Sequence, residues 1–168
     1  MEIRDERPED AAAMSRLIAD AFSDMPYACG YEAEIVERLR AAGALDVSLV
    51  ASDEAGLAGQ VAVSAVAIDG ADRGWSGLGP LAVRRDLRRR GVGSALVRAA
   101  LDRLLAAGAA GCVLVGDPAY YGRFGFSAGS GLVVAGVPDG HVLALPLSGP
   151  PFAGRVTFHP AFDPPPQT

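Results

Sequence analysis

The sequence predicts an α+β fold, a mixed central sheet with helices on both faces that makes a three-layer α/β/α architecture. Two observations predict it. Half of the 168 residues are apolar and a fifth are charged, the composition of a folded globular chain. Apolar residues recur at helical spacing in some stretches and run or alternate in others, in the order β-α-α-β-β-β-α-β-α-β. The length suits a single domain, 1–163, followed by a frayed tail, 164–168. At this size about 70% of the unfolded surface can be buried, so no disulfide or metal staple is needed.

Glu2 to Arg4 can form a first strand. Pro8, Glu9 and Asp10 suit the first turn of a helix, where proline's missing donor costs nothing and acids meet the positive end. Met14, Leu17, Ile18, Ala21 and Phe22 continue that helix on one face. A second helix spans Glu32 to Ala42 with Ile35, Val36 and Leu39 inward, and Gly43 ends it. Val47 to Ala51 is a strand, Asp53 to Gly56 a turn, Leu57 to Ile68 a second strand and Asp69 to Gly74 another turn. Trp75 to Val83 is an inner strand whose Gly77, Gly79 and Pro80 predict a bulge or a close approach to the backbone. Val92 to Ala107 carries a wide apolar stripe, and Gly108 caps it. Cys112 to Val115 is a buried strand, and a short helix follows from Ala119. Leu132 to Val134, His141 to Leu147 and Arg155 to Phe158 are further strands.

Charge excludes several functions. The net charge is −5, against a general nucleic-acid binder. No uncharged stretch is long enough, or poor enough in Gly and Pro, to span a bilayer, and Met1 to Asp10 lacks the apolar core of a signal peptide. A cytoplasmic protein is expected. Cys29 and Cys112 match no zinc or redox spacing, and His141 and His159 are isolated, so no metal site is expected. The charge is unevenly spread. Residues 1–54 hold thirteen acids against five arginines, whereas 84–123 hold eight arginines against three acids. Arg84, Arg85, Arg88, Arg89 and Arg90 lie within seven residues.

That cluster runs into Gly91-Val92-Gly93-Ser94-Ala95 at the start of the long helix. The first-turn amides of a helix have no internal partners, glycine lets an oxygen-rich ligand approach them, and the dipole and arginine favour an anion. A pyrophosphate is the natural guest. The spacing fits neither the dinucleotide fingerprint nor the P-loop.

The pattern is Arg-x-x-Gly-x-Gly after a strand ending Leu81-Ala82-Val83, followed by Tyr120-Tyr121-Gly122-Arg123-Phe124-Gly125-Phe126. In these three ordered pieces the sequence resembles the GNAT superfamily of acyl-CoA-dependent N-acyltransferases. The wider run from Gly116 to Phe126 is similar to a bacterial branch of largely uncharacterised members. The resemblance is strong over 75–126, looser before 70 and weak beyond 130. It implies a GNAT-type fold whose strand Trp75–Val83 splays from Cys112–Val115. It further implies that backbone groups of Leu81, Ala82 and Val83 hold the pantetheine arm. The amides from Arg89 through Arg90, Gly91, Val92 and Gly93 to Ser94, with Ala95 behind them, would hold the pyrophosphate. Arg88 would help to position it. Tyr121 falls where the family often has the general acid that protonates the departing thiolate; the alternative is a core aromatic.

Acetyl-CoA is therefore the expected acyl donor, and an N-acetyltransferase acting directly on a small-molecule or peptide amine is the expected function. Many family members place a carboxylate base on the strand equivalent to Trp75–Val83, and this strand has no acid. Glu32, Glu34, Asp117, His141 or a water remain as bases. Tyr27 and Tyr31 either line the acceptor pocket or pack. Two other readings stay open: an acyl-CoA sensor or interaction module without turnover, and an arginine cluster that grips nucleic acid, against which the acidic total counts. No membrane partner is expected, and a homodimer is left open.

Overall fold

The computed structural model describes residues 1–166; Gln167 and Thr168, the end of the expected frayed tail, lie outside the described residues. The elements are strand β1 (Glu2–Asp5), helices α1 (Ala11–Phe22) and α2 (Glu32–Ala41), and strands β2 (Val47–Asp53), β3 (Gly56–Ile68) and β4 (Ala71–Val83). Then come α3 (Val92–Ala106), β5 (Gly111–Val115), α4 (Pro118–Tyr121), β6 (Leu132–Val133), β7 (Val142–Pro146) and β8 (Gly154–Thr157). The hydrogen-bonded strand order is β1-β2-β3-β4-β5-β7, with β8 pairing β3 and β6. The β4–β5 pair is parallel, and β1–β2, β2–β3 and β5–β7 are antiparallel. The mixed sheet flanked by helices is the expected fold class.

Two local differences from the sequence reading have physical causes. Pro8–Asp10 is a 3₁₀ turn ahead of α1, in which the Arg7 amide donates to the Asp10 carboxylate at 2.7 Å. Asp69 to Gly74 is not a long turn. Asp69 (φ +50°) and Gly70 (φ +77°) alone reverse the chain, and β4 starts at Ala71. Positive φ at both central residues is the hairpin geometry that matches strand twist, and Asp-Gly is suited to it.

The chain divides into two compact units. The first comprises Met1–Val63, Gly79–Leu101 and the chain from Pro160. On one face of its strands, Val50, Ala62 and Ala82 pack with Met14, Ile18 and Ala21 of α1 and Val36 of α2. On the other face lies α3. A Cβ on Gly59 would meet Leu96 Cδ1 at 2.8 Å, the Ala82 carbonyl at 3.0 Å and Val92 Cγ1 at 3.1 Å, so only glycine lets the first turns of α3 sit so close to β3. Ile35 and Leu39 of α2 pack with Ala161, and Arg38 donates to the carbonyls of Ala161 (3.1 Å) and Asp163 (2.8 Å).

The second unit comprises Ser64–Leu78 and Asp102–His159. Its core gathers Val66, Ile68, Trp75, Val113, Leu132, Val142, Ala144 and Val156. The Trp75 ring lies where a Cβ on Gly111 would stand, 2.4 Å away. The β4–β5 ladder covers Trp75, Ser76 and Gly77 opposite Gly111, Cys112 and Val113, and ends there. Two residues on, Gly79 adopts φ +142°, within the stretch where the sequence predicts a bulge or a close approach to the backbone. Cys112 is enclosed, and burial pushes its thiol up to about 12.

Two measurements test this packing. Gly59→Ala is expected to cost about 1–3 kcal/mol by overpacking, lowering Tm by several degrees in thermal denaturation. Arg4 donates to both Asp10 oxygens (2.7 and 3.1 Å) and holds that buried carboxyl below its usual range. A depressed pKa stabilises the fold above the unfolded value and is lost as pH falls through the folded one. Asp10→Asn is therefore expected to lose about 2 kcal/mol near pH 7, with the gap from wild type closing below about pH 4 in urea titrations.

Candidate active site

Leu81, Ala82 and Val83 end β4 in the first unit. The Ala82 side chain is buried against α1 and α2, which leaves its backbone for any outside contact. The Arg84 amide then donates to the Ala58 carbonyl at 2.8 Å, which ties the exit of β4 to β3. A single 3₁₀ turn, Arg85–Leu87, carries the chain towards α3.

The turn into α3 has an unusual backbone. Arg88 is extended (φ −60°, ψ 144°), Arg89 is left-handed (φ +62°) and Gly91 is again positive (φ +86°). Such sign changes turn successive N–H groups to one side and create an anion-binding concavity. The Ala95 amide donates to the Gly91 carbonyl at 3.0 Å, so the helical ladder starts at Gly91. The amides of Val92 and Gly93 precede the ladder, where intrahelical geometry supplies no carbonyl. The Val92 side chain is buried on the β3 side, while Arg89, Arg90, Gly91 and Ala95 face solvent.

The five arginines separate into two groups. Arg84 donates to Asp53 (2.8 Å) and Asp86 (2.7 Å), and both carboxyls are held below their usual range by it. Arg85 donates to the Asp20 carbonyl (3.0 Å) and to the Ser23 hydroxyl. Arg88 donates through both terminal nitrogens to Asp24 (3.0 and 3.1 Å) and also to the Ala21 carbonyl (2.7 Å). Its guanidinium holds the Asp24 carboxyl below the usual carboxylate range. Arg89 and Arg90 are exposed and form no ion pair among the described residues. The free positive charge is thus concentrated on the two residues that immediately precede Gly91.

Tyr121 lies in the second unit, at the end of α4. The Asp117 side chain caps this short helix by accepting the Ala119 amide at 2.9 Å. The half-buried Tyr121 ring meets Tyr120 edge-on at 4.8 Å and Phe126 at 6.0 Å. It also covers the backbone of Gly116, where a Cβ would come within 2.6 Å of the ring. Arg123 lies 4.6 Å above the Tyr120 ring.

Each side chain considered as a base has a structural partner. Glu32 is buried and accepts the amides of Cys29 (2.7 Å) and Gly30 (3.1 Å). Glu34 pairs with Arg38 at 3.1 Å, Asp117 is the α4 cap, and His141 Nδ1 lies 3.1 Å from the Gly116 carbonyl. Tyr27 is 76% exposed, whereas Tyr31 stacks with Arg38 at 5.8 Å. Sequence reasoning passed over Gln60, which is fully buried on β3 with neither amide atom partnered by the protein, and over Asp24. No sequence signal marked either. Among the described residues no cluster suited to a metal ion occurs, and no helix is long and apolar enough to cross a membrane.

Residues 2–129 match the family model described as an acetyltransferase (GNAT) domain. An uncharacterized N-acetyltransferase of Escherichia coli K12, YhbS, is 42% identical over 127 residues, which cover 75% of this chain and 73% of that protein. The crystal structure of a GNAT family acetyltransferase from Brucella melitensis in complex with acetyl-CoA superimposes with a TM-score of 0.86. It is 43% identical, covering 96% of this chain and 97% of that one. The structure of YhbS from E. coli in complex with CoA also gives 0.86, at 35% identity over 96% of this chain and 91% of that one. On the family match, these identities and the shared fold, the chain belongs to the GNAT family of N-acetyltransferases.

Proposed function

We propose that this protein moves an acetyl group from acetyl-CoA directly to an amine. The observation that carries the proposal is the N-terminus of α3, with Gly91 just before it, Gly93 in its first turn and Arg89 and Arg90 exposed beside it. Two relatives whose fold this chain shares at a TM-score of 0.86 hold acetyl-CoA or CoA. The amides of Arg89 to Ser94 bind the diphosphate, Arg89 and Arg90 add charge, and Leu81 to Val83 offer backbone groups to the pantetheine. Arg88 acts on this loop by holding it in place. The run Gly116 to Phe126 assigns the chain to the bacterial branch carrying Gly-Asp-Pro-x-Tyr-Tyr-x-Arg-Phe-Gly-Phe. Residues 1–163 act as one domain. Two free thiols suit a reducing, cytoplasmic compartment, and a homodimer is compatible with the proposal.

In the reaction the neutral amine attacks the thioester carbonyl. The C–N bond forms, the C–S bond breaks, the Tyr121 hydroxyl gives its proton to the thiolate, and the ammonium proton leaves to water, from which the Tyr121 phenolate is reprotonated. A thiol has a pKa near 8.5, so its thiolate is a tolerable leaving group and the acid contributes modestly. A second reading, an acyl-CoA-binding module without turnover, is favoured by one observation: Glu32, Glu34, Asp117 and His141 are all engaged structurally.

Calorimetric titration is expected to show acetyl-CoA binding, and Gly93→Asp, which sets a carboxylate against the diphosphate, to abolish it. No binding by the wild type at millimolar ligand overturns the proposal. Tyr121→Phe is expected to lower kcat about 10- to 100-fold in a thiol-release assay over a panel of amines while leaving acetyl-CoA affinity unchanged. Tight binding with no thiol release for any amine would establish the module without turnover.

A further inference from the structure

Arg85 and Arg88 belong to the loop that leads into α3, yet their donors point away from it, to the end of α1. Arg88 grips Asp24 with two terminal nitrogens and the Ala21 carbonyl with one of them. Arg85 takes the Asp20 carbonyl and the Ser23 hydroxyl. The connection from Ser23 to Gly30 contains neither helix nor strand. It is tied at its far end by Glu32, which accepts the Cys29 and Gly30 amides. The segment is thus a strap anchored at both ends, one anchor being the cofactor loop itself, with the exposed Tyr27 between them.

We propose that Asp24 and Arg88 form a latch through which the acyl-CoA site and the strap Ser23–Gly30 order one another. Asp24 is a positioning residue: it touches neither cofactor nor substrate and acts through Arg88. The inference rests on the reading of the α3 N-terminus as the diphosphate site. The diphosphate requires the amides of Arg89 to Ser94 to converge, which fixes the loop that carries Arg88. The loop geometry in which those amides converge is the one in which Arg88 reaches Asp24. Binding one therefore favours the other, and the coupling is reciprocal. The strap is tied at Ser23 and Asp24 to the loop that leads into the donor site, so acyl-CoA set in place first orders the strap before the amine arrives.

The rival role for Arg88, a direct phosphate ligand restrained by Asp24, predicts the opposite sign. Freeing the guanidinium would then tighten CoA binding. The arrangement in the structure favours the latch, because Arg88 is half-buried and three hydrogen bonds already occupy its two terminal nitrogens.

The experiment combines CoA calorimetry at fixed low salt with amide hydrogen exchange of residues 21–31, on wild type, Asp24→Asn and Asp24→Glu. Asp24 is 45% exposed, so the variants keep the fold, which thermal melting checks. CoA is expected to slow exchange across the strap in the wild type and not in Asp24→Asn, and Asp24→Asn is expected to weaken CoA about two- to fivefold, the scale of one partly exposed pair. Asp24→Glu, which keeps the carboxylate, is expected to recover the protection. Tighter CoA binding by Asp24→Asn, or strap protection retained in that variant, overturns the latch. A wild type that binds no CoA overturns the diphosphate site instead.

Discussion

The close seating of α3 on β3 is the constraint on which the site depends. A helix over a sheet normally stands off by the length of two side chains. Here Gly59 contributes none, and Leu96 and Val92 occupy the space its Cβ would fill. The Ala82 carbonyl, at the end of the strand we propose for the pantetheine, closes the same gap at 3.0 Å. One missing methyl thus brings together the strand end, the helix start and the loop between them. The dipole and the amides that precede the ladder at Gly91 are then aimed from a fixed position. A diphosphate site built on backbone needs such rigidity, because no side chain can swing to correct a misplaced amide.

The arginine cluster shows how the same residue type divides its labour. Arg84, Arg85 and Arg88 are neutralised by Asp53, Asp86, Asp20 and Asp24, which come from distant parts of the acidic N-terminal third or from the next turn. Each pair is partly exposed and screened by solvent, so it adds little to stability. Their effect is geometric: they hold a loop whose Arg89 adopts a left-handed conformation that disfavours side chains. The charge left for a ligand is that of Arg89 and Arg90, enough for a compact anion and little for a nucleic-acid backbone, where affinity grows with the number of phosphates neutralised.

Local features were legible in the sequence. The apolar stripe from Val92, the glycines at its start and the Asp69-Gly70 turn each act within a few residues, so pattern and propensity suffice to find them. Ala71 to Gly74 carry no strand pattern, so the sequence reads them as turn; the strand there follows from the hairpin. Features built from distant residues were not legible. Arg88 reads as a residue that helps to position the pyrophosphate, and only the fold shows Asp24, 64 positions away, bound to it. Glu32 reads as a base until its oxygens are seen to accept two amides just before its own helix. Gly116 carries no mark that the Tyr121 ring will cover it. Buried Gln60 interrupts an apolar run, and its alternation with Val61 identifies its face but not its purpose.

The absence of an acid from Trp75–Val83 of β4 acquires a meaning once the other carboxylates are located. An alkyl amine with a pKa near 10.4 is overwhelmingly protonated at neutral pH, and the gap of about three units corresponds to about 4 kcal/mol. A carboxylate base would have to accept that proton without losing a bond of its own. Protonating Glu32 or Asp117 would release a backbone amide that the fold has already committed, at the strap in one case and at the seat of Tyr121 in the other. The site can avoid that conflict in two ways: by taking the small neutral fraction of a strongly basic amine, or by choosing an acceptor whose nitrogen is already less basic, such as an α-amino group near pKa 8, for which the same gap shrinks to about 1 kcal/mol. The second course lowers the cost of deprotonation and sets no carboxylate against its structural role.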